Sequence, residues 1–338
     1  MKLFPLLATL ACVAAAPSAF AQSTPDAQRC LLEQLDKAAE GMTVAQLRTL
    51  CAIPAPAAQQ AAADAGLEAD KPAVVTRRLQ EEAAEYGKRY SITAHRLNYI
   101  LPITYDQRRP SSEPFANDLE EDARAQKIEM KYQFSFKVPL LLNAFDSGGS
   151  IFGGYTQRSF WQMYNNKASK PFRETNYEPE VWYQYPINMP VLGWNLVSAS
   201  IGVNHQSNGR AKEYSRSWNR IMGGLVFERG EYAIQLRPWW RLRENSNDDD
   251  NGDIQHYLGY FDFALGRKFG SHSFDLMIRN NLKRRDNRGA FQVGWSFPLP
   301  INDRLRGYVQ YFGGYGESLI DYNVRQNTLG VGLMLADW

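Results

Sequence analysis

From about residue 89 to its end, the chain runs in long stretches where apolar and polar side chains alternate. Successive side chains of a strand point to opposite faces, so this alternation makes one apolar face and one polar face. Twelve segments carry it, at roughly 89–104, 124–140, 149–166, 178–187, 192–207, 215–228, 230–243, 253–267, 270–282, 288–299, 302–314 and 325–338. Strands in globular proteins usually run about 5–6 residues, whereas these reach about 10 or more, the length that crosses a bilayer at a tilt. The count is even, as in bacterial single-chain barrels. The expected fold is all-β: a twelve-stranded antiparallel transmembrane barrel.

The connections agree with this. RRPSSEPFANDLEED, NKASKPFRETN, NGRAKEY, RENSNDDDNG, KRRDNRG and the segment from Gly314 to Val324 follow the odd-numbered strands, while turns such as ERGE (228–231) and PIN (300–302) are short. Short periplasmic turns opposite long external loops are expected of outer-membrane barrels, so the odd-numbered strands end outside. Parity assigns the faces. Leu329, Val331, Leu333 and Leu335 form one apolar face of the last strand, and Leu305, Val309 and Tyr311 oppose Arg304, Arg306 and Gln310 on the one before. With lipid outside, the apolar set points outward and the polar set fills the lumen; a soluble barrel would show the reverse.

Residues 1–21 read as a secretory signal, with Lys2 as the charged start, an apolar core from Leu3 to Ala16, and Ala19-Phe20-Ala21 before the cleavage site. A lipoprotein reading through Cys12 is disfavoured by Thr9, which stands where an aliphatic residue is wanted. Residues 22–88 form a periplasmic extension. Cys30 and Cys51 flank helical patterns at Gln28 to Ala39 and Thr43 to Leu50, and two cysteines in an exported chain usually pair. The stretch 52–70 is Ala/Pro/Gln-rich and reads as a tether. Residues 89–338 are the barrel. A formal charge of +2, with no basic stripe interleaved with aromatics, argues against a nucleic-acid partner. After the signal, no apolar run approaches the roughly 18 residues of a membrane helix, which says nothing against a barrel.

The chemistry-bearing stretch is NHQSNGR (204–210), followed by SRSWNR (215–220). In the fifth segment, Val197, Ala199, Ile201, Val203, His205 and Ser207 share a face. Asn219 belongs to the outward face of the sixth. A hairpin centred near residue 212 puts Asn219 across from Gln206, diagonal to His205 and Ser207, within cross-strand reach. A serine hydroxyl becomes a nucleophile when a base takes its proton; His205 suits that role, and Asn219 would fix its tautomer. Gly209 offers a backbone N–H for an oxyanion. Singly, an interfacial histidine and a Ser-Asn-Gly turn are ordinary structural features; the alternative is a passive porin-like or structural barrel.

NHQSNGR and SRSWNR resemble the signature of the outer-membrane phospholipase A family. YTQRSFWQ (155–162), PFRETNYEP (171–179), GYGESLIDYN (314–323) and the ending GVGLMLADW resemble other runs of it, over about residues 89 to 338. The resemblance implies a bacterial outer-membrane barrel that hydrolyses acyl esters of phospholipids and lysophospholipids (phospholipase A1/A2) at its outer-leaflet side and is active as a calcium-bound homodimer. Carried over by position, Ser207 is the nucleophile, His205 the base, Asn219 the orienting residue and Gly209 the oxyanion donor. The same resemblance gives calcium the carbonyl of Arg210, Ser215, and Ser169 from the partner subunit, and matches Gln157 to a polar dimer-interface residue. Some relatives place an aspartate where this chain has Lys212, with Glu213 beside it, which puts any further loop-bound calcium in doubt. The acidic run NDDDNGD (247–253) lacks EF-hand spacing and its closing Glu, Leu258 standing in that place; it reads as a solvated loop.

Overall fold

The computed structural model describes residues 72–88, 91–111, 124–245, 249–300 and 305–335. The signal and the cysteine hairpin expected ahead of them lie outside the described residues. Helix α1 (Val74–Tyr86) leads into β1 (Thr93–Ala94), β2 (Asn98–Asp106), β3 (Ile128–Leu141), β4 (Ser150–Trp161), β5 (Phe172–Val191), β6 (Trp194–Ser207), β7 (Ser217–Arg229) and β8 (Tyr232–Leu242). A short helix α2 (Ile254–Leu258) precedes β9 (Phe261–Phe269), β10 (His272–Asn280), β11 (Gly289–Pro298), β12 (Leu305–Tyr315) and β13 (Arg325–Leu335).

Strands β2 to β13 each pair antiparallel with their sequence neighbours, and β13 closes on β2 through pairs such as Val331–Ile103 and Leu335–Asn98. The twelve-stranded barrel is closed. The extra strand β1 lies on β3 in line with β2, with Thr93 opposite Lys137, so β1 and β2 form one interrupted stave. At the interruption, His95 bonds Glu180 at 2.8 Å and Arg96 reaches both Glu178 and Glu180.

The faces follow the parity. Leu329, Val331, Leu333 and Leu335 are exposed, whereas Gln310, Gln326 and Thr328 are buried. Charged groups make the interior. Lys131, 0 % exposed, donates to Glu317 and Gln310 at 2.7 Å each. Arg173 grips Glu129 with two nitrogens and Asp321 with a third. Buried charges are costly unless paired and hydrogen-bonded, and Lys131 and Arg173 are held by pairs reaching across the barrel. The stretch from Glu317 to Tyr322 turns inward rather than standing out as a loop: its residues are buried, and the Leu319 and Ile320 N–H groups donate to Asn176 and Glu174. Toward the other end, α1 sits on the β7–β8 turn. Glu228 accepts from the Val75 and Thr76 N–H groups, a carboxylate at a helix N-terminus. Glu82 bonds Lys137 at 2.7 Å. Burial alone would raise the Glu82 carboxyl, but Lys137 and Arg78 outweigh it and hold it below its ordinary value. Between loop and helix remains a cavity of about 410 Å³ lined by charged side chains that include Arg96, Glu178 and Arg220.

Two segments depart from expectation. The fourth segment is expected at 178–187, yet β5, which corresponds to it, runs over 20 residues from Phe172. Arg173, Glu174 and Asn176 look like a loop, but they are buried lumen residues; in a barrel with a polar interior, a polar run is a core run. Both Arg173 and Glu174 reach the lumen because the register slips there, Trp161 facing Phe172 and Phe160 facing Glu174. The eighth segment, expected from 253, becomes β9 and starts at Phe261. Ile254 and Leu258, one helical repeat apart, bury together against Trp218, Trp239, Leu319 and Tyr322. Gly259 ends this turn at φ +79, where a Cβ would lie 2.1 Å from the Asn280 carbonyl oxygen.

Lys131→Met would leave Glu317 buried without its cation, at a cost of about 3–5 kcal/mol, read as an earlier denaturant midpoint of the detergent-solubilised barrel. Adding Glu317→Gln should recover most of the loss.

Candidate active site

The β6–β7 hairpin carries the candidate residues on the lipid-facing side. Below the rim, Ile201 is 61 % exposed and Val203 56 %. His205 and Ser207 continue that row, half-buried. The intervening side chains point inward and anchor the wall: Asn204 donates to Glu178 at 2.9 Å, and Gln206 accepts from the indole of the fully buried Trp218 at 2.8 Å. Arg220 stacks on Trp218, 4.0 Å from its ring centre, and bonds Glu178. The outer row therefore stands on strands fixed from the lumen side.

Asn219 sits directly across from His205, and Ser207 across from Ser217. The expected pairing of Asn219 with Gln206 is thus off by one residue. The change favours contact: Asn219 Oδ1 lies 2.8 Å from His205 Nδ1. With Nδ1 held by the amide, Nε2 is the nitrogen left for Ser207, the next rung of the same face. Among the described residues Ser207 Oγ has no hydrogen bond to His205; such bonds are often long in resting enzymes and shorten with substrate.

Residues 208–216 close the hairpin around a residue that sequence reading missed. Asn208, 4 % exposed, donates to the Tyr214 carbonyl at 2.8 Å, and its Oδ1 accepts from the Arg210 and Arg216 N–H groups. Its only sequence signal is that Ser-Asn-Gly is turn chemistry. The clamp shapes the turn in which Gly209 takes φ +65, and a Cβ there would approach the Tyr177 ring to 3.1 Å. No acceptor for the Gly209 N–H appears among the described residues, so that amide is available to an incoming oxyanion. A further missed residue stands beyond β8: Glu244 accepts from Asn219 Nδ2 at 2.9 Å.

The residues assigned to calcium fall in two places. Arg210 and Ser215 share the 208–216 turn, while Ser169 lies exposed in the β4–β5 connection with φ +58. The turn offers one carbonyl and one hydroxyl, both hard oxygen donors of the kind calcium takes. Calcium fills about six to eight positions, so one chain supplies less than half a shell. Among the described residues, no group of three or more His, Cys, Asp or Glu side chains could hold a metal. In the acidic run, Asp249 accepts from Arg241, and Asp253 accepts from the Tyr322 hydroxyl. Gln157 is half-buried on the outward face, beside Phe134 and Tyr177, with bonds of 3.2 Å to Tyr155 and Ser159.

A closed twelve-stranded barrel with a polar lumen and an apolar outer face defines the class: an outer-membrane barrel protein. A family model described as Phospholipase A1 matches residues 75–335, beginning at α1, and the chain belongs to that family, the outer membrane phospholipases. Phospholipase A1 of Klebsiella pneumoniae is 36 % identical over 297 residues, covering 88 % of this chain and 99 % of that one. An active-site mutant of Escherichia coli outer membrane phospholipase A, with an asparagine replaced by alanine, superposes with a TM-score of 0.70 at 34 % identity, covering 77 % of this chain and 97 % of that one. A Salmonella typhi outer membrane phospholipase dimer with bound calcium superposes with a TM-score of 0.68 at 34 % identity, over 75 % and 96 %. The chain is thus a phospholipase of the bacterial outer membrane.

Gly209→Ala, strained both by its φ and by Tyr177, is expected to lower lipid hydrolysis about tenfold or more while the heat-modifiable barrel persists on gels. Unchanged hydrolysis would mean that the turn takes no part in the reaction.

Proposed function

We propose that the chain hydrolyses acyl ester bonds of phospholipids, and of the lysophospholipids they leave, through Ser207, His205 and Asn219, in a calcium-loaded homodimer. The observation that carries this reading is the 2.8 Å contact between Asn219 and His205, in one outward row with Ser207. The lipid need not leave the membrane. It moves sideways in the outer leaflet until its ester meets the rim.

His205 Nε2 accepts the Ser207 proton as Oγ attacks the ester carbonyl carbon. The oxygen that gains charge is stabilised by the Gly209 N–H. Asn219 Oδ1 accepts from Nδ1–H, which keeps Nε2 unprotonated at the start and steadies the imidazolium that forms. The proton then passes to the leaving lysophospholipid oxygen. Water repeats the sequence on the acyl-enzyme, with His205 again as base, and fatty acid departs. Asparagine suits the third position because an unpaired carboxylate beside lipid is costly to bury. The names of the relatives favour the sn-1 ester. Activity at the second position and on lysophospholipids follows from a site that faces open lipid instead of a closed pocket.

Arg210 and Ser215 would hold the calcium, with Ser169 of a second copy completing the donor set; when bound, the ion adds positive charge near the developing oxyanion. The Salmonella typhi relative, a dimer with bound calcium, supports this reading. So does the donor set, too small in one chain to close a shell. Dimerisation through the outward face around Gln157, among exposed Phe134 and Phe136, would cover the site's flank and offer a groove for acyl chains. It would also restrain an enzyme whose substrate surrounds it.

Purified protein in mixed micelles with calcium should release fatty acid. Ser207→Ala should lower the rate about 10⁴-fold or more with the barrel intact, and a calcium chelator should silence the wild type. Full activity of Ser207→Ala would remove the mechanism, and indifference to chelation would remove the metal. A passive barrel would release nothing under any condition.

A further inference from the structure

Asn219 faces two partners. Its Oδ1 meets His205 Nδ1 at 2.8 Å, and its Nδ2 donates to Glu244 Oε1 at 2.9 Å. A side-chain amide can be turned either way, and in the wrong sense it would offer N–H to the imidazole. That sense would force the neutral ring to carry its proton on Nε2, where it cannot act as a base toward serine. Something must therefore decide which end of Asn219 faces the histidine. An ionised carboxylate only accepts hydrogen bonds. A carboxylate behind the amide thus requires the NH₂ end, and leaves the oxygen for His205.

We propose that Glu244 is a positioning residue of this phospholipase: it orients the Asn219 amide and supplies, one residue removed, the negative charge that a neutral asparagine lacks. Asn219 lies opposite Leu242 across β7 and β8. Glu244 follows two residues later, just past the strand end, and its bond to Asn219 places its carboxylate beside the outward row. There its carboxylate is half-buried. The chain His205–Asn219–Glu244 divides between two side chains what one aspartate does in other serine hydrolases: the amide gives the geometry, and the carboxylate gives the charge. This role rests on His205 acting as the base.

The test is a double-mutant cycle in the full-length protein with calcium, measuring hydrolysis of a defined phospholipid in mixed micelles. Glu244→Gln in the wild-type background should lower kcat roughly tenfold with little change in KM, and Glu244→Asp should restore part of the loss. In an Asn219→Asp background the sign should invert. There Glu244 would face a second carboxylate with no N–H between them, and Glu244→Gln would relieve the repulsion and donate to the new aspartate. Asn219→Asp/Glu244→Gln should therefore be faster than Asn219→Asp alone. An equal loss in both backgrounds would make Glu244 a merely structural residue, and no loss in the wild type would remove its role altogether. His205→Ala serves as the separate control: activity surviving there would overturn the base assignment itself, whatever Glu244 does.

Discussion

Hydrocarbon offers no hydrogen bonds, so a strand that crosses it must find partners for every backbone N–H and C=O along both edges. The β13–β2 pairing meets that demand by leaving no open edge in the wall. Closure has further consequences. The wall has one face in lipid and one in a lumen, and alternation sorts the side chains between them. A catalytic residue on such a wall must choose a face. His205 and Ser207 stand on the lipid face, at the rim, where the proposed mechanism needs them.

The lumen is the counterpart of that choice. It is packed with ion pairs such as Lys131–Glu317 and Arg173–Glu129, closed toward one end by α1 and filled from the other by the inward-turned Glu317 to Tyr322 stretch. Residues that alternate with the site, Asn204, Gln206, Trp218 and Arg220, are part of this interior. A wall that would be pliable if it faced empty lumen is held from behind, and the outward row keeps its spacing.

Most of the barrel was legible in the sequence, because alternation over ten or so residues is a direct projection of the two-faced wall. Where the reading slipped, a second pattern overlay the first. Arg173 to Asn176 looks like a loop because polarity usually marks the outside, and here it marks the inside. Ile254 and Leu258 were taken into a strand because a short apolar pair fits either period until its burial is known. The one-residue error between Asn219 and Gln206 came from the 208–216 turn, whose shape is set by Asn208 rather than by a turn type readable from composition. Parity places His205, Ser207 and Asn219 on one outward face, and the resemblance of NHQSNGR and SRSWNR to a known family singles them out. Glu244 could not be found by parity, since it lies past a strand end where alternation stops constraining direction. Nor could Ser169, Arg210 and Ser215 as the proposed calcium ligands, because one carbonyl and two hydroxyls leave no spacing to recognise.

The proposed mechanism requires Ser207 to lie against lipid. This can be read by attaching an environment-sensitive fluorophore to Ser207→Cys, in a variant without the other cysteines, and reconstituting the barrel in bilayers with lipids brominated along the acyl chain. Strong quenching at position 207 is expected, with little at the same label on the lumen-facing Ser198, which is 4 % exposed. Equal quenching at the two positions, or quenching only by a water-soluble agent at 207, would contradict it.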